Sequence, residues 1–177
     1  ITAVFAGLLT KVGVYAIIRT QTLLFPPDAR QGTLLLVLAG LTMIVGVLGA
    51  LAQDDLRRML SFHIVSHIGY MIFGLALFTL AGVAGAVFYV VHHIVVKTGL
   101  FLVAGLVLRR SGSDRLSKVG GLVHSAPMIA VLFALPALSI AGLPPFSGFV
   151  GKFALVSAGI ESADWWIVGV SLLVSLL

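Results

Sequence analysis

The chain has 177 residues, of which 60% are hydrophobic and 10% charged; soluble domains carry about 25% charged residues, so a soluble fold is excluded. A bilayer-spanning helix needs about 20 apolar residues, and the runs here are long enough for several, whereas the short alternating strands of a transmembrane barrel are absent from the pattern. The net charge of +5 has no soluble basic domain to carry it to a nucleic acid, and the lack of cysteine excludes disulfides and thiolate chemistry.

Apolar runs and their breakers predict an all-α, polytopic transmembrane bundle of about six helices. The first covers about 1–24 and ends at "FPPDARQG", whose paired prolines cannot continue a helix. The second covers about 33–52 and the third about 59–80, joined by the charged turn "QDDLRR". The fourth, about 83–108, is followed by the polar loop "RRSGSDRLSKVGG". The fifth runs from near 123 to about 160, too long for one straight crossing, and its middle reads "AGLPPFSGFVGK". Gly142, Pro144 and Pro145 predict a broken helix, which at membrane depth is tolerated only inside protein or beside a wet cavity. The sixth starts near Trp165, with Trp165 and Trp166 expected at an interface. No secretory leader is recognisable. Ile1 and the apolar close "SLLVSLL" lead us to expect a segment of a longer protein.

Arg57, Arg58, Arg109, Arg110, Arg115 and Lys118 fall in the loops after the second and fourth helices, against only Arg19 and Arg30 on the other side. By the positive-inside rule, loops 53–58 and 109–121 are expected in the cytoplasm.

Setting the loop charges aside leaves Lys11, His63, His67, His92, His93, Lys97 and Lys152 within apolar runs; His124 adjoins the loop and reads as interfacial. A charge at mid-bilayer costs at least about 2.5–3.5 kcal/mol, so an ionisable residue there reads as functional. Lys11 could snorkel from a helix end. Arg19 and Pro26 lie 8 and 15 residues beyond it, however, which puts it roughly 12–22 Å inside that edge. His93 and Lys97, four residues apart, share one helical face, and Lys97 is too far from either end to reach water by stretching. It is either a packing device against carbonyls or a proton carrier, and a histidine one turn away passes protons on either nitrogen. His63 and His67 repeat the spacing of four. A metal site would want more ligands than this pair supplies, so no metal is expected. His67 is the deeper of the two and reads as a relay, while His63 reads equally well as an interfacial residue. His92 points about 100° away from His93 and is left without a role. Lys152 follows the break, where freed carbonyls and half-helix ends face a cavity. The set contains no Asp or Glu, so it suits proton transfer rather than a cage for a hard cation.

"GLLTKVGVYAIIR", "AQDDLRRMLSFHIVSHIGYM", "HHIVVKTGLFLVAG" and "LSIAGLPPFSGFVGKFAL", in this order, resemble the proton-translocating antiporter module shared by Mrp-type Na⁺/H⁺ antiporters and respiratory complex I. The resemblance covers essentially the whole chain, and "SFHIVSHIGYM" and "HHIVVKTGLF" look most like the D subunits of Mrp antiporters. It implies a bundle of two inverted repeats, of which residues 1–177 would be most of the second half. It implies proton-translocation roles for Lys11, His67, His93, Lys97 and Lys152, the last gating an exit to the exterior. One complex I antiporter-like subunit has glutamate where Lys152 stands, so the lysine argues against that subunit. The resemblance further implies a transporter subunit rather than an enzyme, without cofactor, in the bacterial cytoplasmic membrane. Its expected partners are the other subunits of a multisubunit complex, lipid, protons and Na⁺. The alternative is a proton-pumping subunit of complex I or of a membrane-bound hydrogenase.

Overall fold

The computed structural model describes residues 2–25 and 29–177, and among these the fold is all-helical. The expected first helix is not uniform. A short α1, Thr2–Val4, passes into a π-helical turn, Phe5–Leu9, and then into α2, Thr10–Leu24. The Ala6 carbonyl inside that turn accepts hydrogen bonds from the Thr10 hydroxyl at 3.1 Å and the Lys11 ammonium at 3.0 Å. Side chains that claim a backbone carbonyl in this way accompany the wider turn, and such turns recur at functional sites. The proline pair expected to end this helix, Pro26 and Pro27, lies outside the described residues.

α3 covers Ala29–Leu51 and α4 Leu56–Ala76. Asp55 caps α4 by accepting from the Arg57 and Arg58 amides at 3.0 and 3.1 Å, which satisfies donors that an uncapped helix start would leave open. The helix stops four residues short of the expected end because Phe78 turns with φ +49° and Thr79 caps the next helix. That helix, α5, is Leu80–Ser111, closed by Gly112 at φ +72°. A short α6, Leu122–Ser125, precedes α7, Pro127–Ala141. The chain then leaves helical geometry through Gly142, Leu143, a cis Pro144–Pro145 bond and Phe146, and resumes as α8, Ser147–Glu161. α9 is Trp165–Leu176. Gln31–Leu51, α4 and α5 are each long and apolar enough to cross a membrane. Leu34, Leu41 and Leu48 face outward along α3 at seven-residue spacing, as a lipid-facing stripe would.

The buried apolar residues form two clusters, one above the other. One gathers Leu56, Leu60 and Ile64 of α4, Leu100, Ala104 and Val107 of α5, Ile140 of α7 and Ala3. The other gathers Tyr70 and Phe73 of α4, Ala86 and Tyr89 of α5, Leu155 of α8, Val14 of α2 and Ile167 of α9. The ends of α4 and α5 that carry loops 53–58 and 109–121 meet directly. The Leu56 amide donates to the Asp114 carbonyl at 2.9 Å and the Leu116 amide to the Asp54 carbonyl at 2.7 Å. Arg57 forms an ion pair with Asp114 at 2.6 Å. Both loops therefore lie at one end of the bundle, next to the first cluster.

Candidate functional site

Along α4, α5 and the first helical stretch the chain crosses one apolar cluster, then an ionisable group, then the other cluster. On α4, Ser66 and His67 fall between Ile64 and Tyr70; on α5, His92, His93 and Lys97 fall between Tyr89 and Leu100. Lys11 falls between Ala3 and Val14, and Lys152 between Ile140 and Leu155. The result is a polar layer at mid-depth, dry above and below.

Within that layer His93 and Lys97 are fully buried, at 0% exposure, and Lys11 is 2% and His67 4% exposed. The His67 and His93 rings lie 4.9 Å apart between centroids. His67 Nδ1 shares a hydrogen bond of 2.6 Å with the Tyr89 hydroxyl. The Lys97 ammonium donates to the Leu60 carbonyl at 3.3 Å. Both nitrogens of His93 are buried without a hydrogen-bond partner among the described residues. Half-buried Lys152 donates to the Ala141 carbonyl at 3.1 Å and to the Ser175 hydroxyl at 2.7 Å, with its ammonium 5.6 Å from the centre of the Tyr70 ring. The break makes the first of these bonds possible, because Ala141 ends α7 and its carbonyl has no helical donor beyond it. Gly148 is needed here: a Cβ would overlap the Ser139 carbonyl, so only glycine lets α8 start this close to the end of α7.

Met59, His63, Ser66, His67 and Tyr70 form a stripe on one face of α4, and this stripe lines a cavity of about 310 Å³. Lys97 reaches it from α5 and Lys152 from α8, with Ser175 opposite. The volume is room for several waters. Lys11 and His93 are not on its wall. Lys11 stays on the α2 side, bonded to Ala6 and Thr10, where Gly7 packs on Thr98, the residue after Lys97. The fold therefore brings His67, Lys97 and Lys152 onto one cavity, sets His93 behind His67 and leaves Lys11 at the flank.

The sequence reading missed the tyrosines. Tyr89 lies four residues before His93 and Tyr70 three residues after His67, so helical spacing alone put each on the same face as a histidine. Tyr70 donates to the Ser171 carbonyl at 2.5 Å. His92, which lacked a role, is bonded through Nδ1 to the Ser147 hydroxyl at 2.9 Å, at the first residue after the break. That pairing spans 55 positions, and no sequence signal points to it.

Among the described residues no Asp or Glu lines the cavity, and no three His, Cys, Asp or Glu side chains are grouped as metal ligands. The wall offers imidazoles, ammonium groups, phenols and hydroxyls, all of which can give or take a proton. Asp54, Asp55 and Asp114 sit in the loops at the end of the bundle instead. Hydrogen bonds from Ser117 hold the Asp54 carboxyl below the usual carboxylate range, and the bond from Arg57 does the same to Asp114.

Fold and site together define a polytopic membrane protein whose interior carries a layer of ionisable side chains. All 177 residues match the NADH:quinone oxidoreductase/Mrp antiporter transmembrane family, and the chain belongs to it. It is 51% identical to the D subunit of the Na⁺/H⁺ antiporter of Alkalihalophilus pseudofirmus and 41% identical to its counterpart in Bacillus subtilis, over the full chain in each case. It spans 36% of the length of each of these relatives. Among solved structures it resembles a chain of the Mrp complex from a Dietzia species, with a TM-score of 0.95 and 42% identity over 99% of this chain and 33% of that one. It also resembles a chain of respiratory complex I from Thermus thermophilus, with a TM-score of 0.87 and 32% identity over 95% of this chain and 36% of that one.

Proposed function

We propose that residues 1–177 form the second half of a proton-antiporter-like membrane domain, in a subunit of a multisubunit monovalent cation (Na⁺)/proton antiporter. Protons pass among Lys11, His67, His93, Lys97 and Lys152 through intervening water, with Tyr89 joined to His67. Charges interact strongly at low dielectric, so a change on one lysine alters the proton affinity of the next. The other subunits of the complex are its partners, and the bacterial cytoplasmic membrane is its place, with loops 53–58 and 109–121 in the cytoplasm. Lys152 and the break at Gly142, Pro144 and Pro145 form the exterior half of the route.

The observation that carries this reading is the mid-depth layer, in which the first helical stretch, α4 and α5 put ionisable groups between two apolar clusters and Lys152 joins them from beside the break. Packing alone would place small uncharged residues there, not lysines. The test is Lys11→Ala and Lys152→Ala in the full-length subunit, assayed in membrane vesicles. Antiport should be lost while the complex still assembles; near-wild-type ΔpH-dependent activity in both variants overturns the reading.

A second reading, a proton-pumping subunit of a redox-driven complex, draws on the resemblance to the complex I chain. The higher identity to the antiporter subunits favours the first. A proton flux that depends on added Na⁺ distinguishes the two.

A further inference from the structure

His63 has no place in the route above, yet three observations attach it. Its ring stacks on His67 with centroids 5.7 Å apart, and His67 lies 4.9 Å from His93, so the three imidazoles form a file. Its Nδ1 is buried without a partner among the described residues. It lines the same cavity as His67, Lys97 and Lys152. It is also half-buried, where His67 and His93 are closed off. Seven residues separate it from Leu56 at the start of α4, or about 10 Å along the axis from the loop end.

We propose that His63 is the port through which the buried route exchanges protons with water at the end carrying loops 53–58 and 109–121. The step balances on the ring. One ring nitrogen takes a proton from water on the loop side, and the other releases its own towards His67. The ring returns to neutral in the other tautomer, and a ring flip resets it. The titratable groups that face it are His67 on its own helix, His93 and Lys97 on α5 and Lys152 on α8, so the file is loaded against positive charge and passes one proton at a time. This inference rests on the proton route proposed above.

The experiment uses the full-length subunit in its assembled complex, in right-side-out and inverted vesicles, with an impermeant buffer varied on one face at a time. His63→Gln keeps bulk and hydrogen bonding but cannot carry a proton. It should slow proton flux about tenfold, the low side of what a positioned acid–base group contributes. Flux should recover towards wild type as buffer is raised on the loop face. His67→Gln should not recover. The proposal is overturned if His63→Gln stays within about twofold of wild type, responds to buffer on the opposite face, or is slow with no response to buffer on either face. His63→Asn is read in the same way if the Gln variant does not assemble. If His67→Gln and Lys97→Ala also retain wild-type flux, the route itself fails and not merely its port.

Discussion

The two polar regions of this molecule use similar residue types to opposite ends. In the loop clasp, the acids meet partners at short range: Asp114 with Arg57, Asp54 with the Ser117 amide and hydroxyl at 2.9 and 2.7 Å, and Asp55 with the Arg57 and Arg58 amides. In the mid-depth layer, among the described residues, cations and imidazoles stand without a single acid, several nitrogens have no partner, and the bonds that exist go to backbone carbonyls or hydroxyls. Water and counter-charges hold the clasp in one protonation state. A buried group without a counter-charge has no such anchor, and small changes around it decide whether it holds a proton.

The sharpest way to break this contrast is at the centre of the layer. Lys97→Ala should lower antiport by about 100-fold, the scale of a lost positioned proton carrier, with the complex still recovered intact. Flux is read from dye quenching in vesicles. A milder cut is Tyr89→Phe, which leaves His67 Nδ1 without its phenol partner and should slow flux by about tenfold, corresponding to roughly 1.4 kcal/mol for one buried hydrogen bond. Gly148→Ala addresses the packing that holds the break closed. It forces a methyl group onto the Ser139 carbonyl and should cost about 2 kcal/mol of stability, seen as a lower melting temperature of the purified complex.

The clasp should respond least. Asp114→Asn is expected to leave flux unchanged and to speed proteolytic nicking within 109–121. Both loop carboxyls bind protons less readily folded than unfolded. Their contribution is thus present above the ordinary carboxylate value of about 3.9 and lost as pH falls through the lower folded values. Nicking should accelerate only in that acid range; acceleration near neutral pH instead would mean that the clasp is not held by these carboxylates.

The sequence by itself determined the class, the helix order and the chemistry of the layer. Lys11, His67, His93, Lys97 and Lys152 could be picked out because an ionisable residue inside an apolar run is conspicuous wherever the run ends up, and "AGLPPFSG" announced the interruption because proline and glycine act on the local backbone. Only the tertiary structure decided which of these groups meet. The π turn before Lys11 depends on a carbonyl claimed by side chains. The bond between His92 and Ser147 and the Arg57–Asp114 pair join positions more than fifty residues apart. The cavity exists because a stripe on α4 faces α5, α7, α8 and α9 together. Local propensity carries no information about which helix becomes a neighbour; that is set by how several apolar faces pack at once around a layer none of them can bury alone.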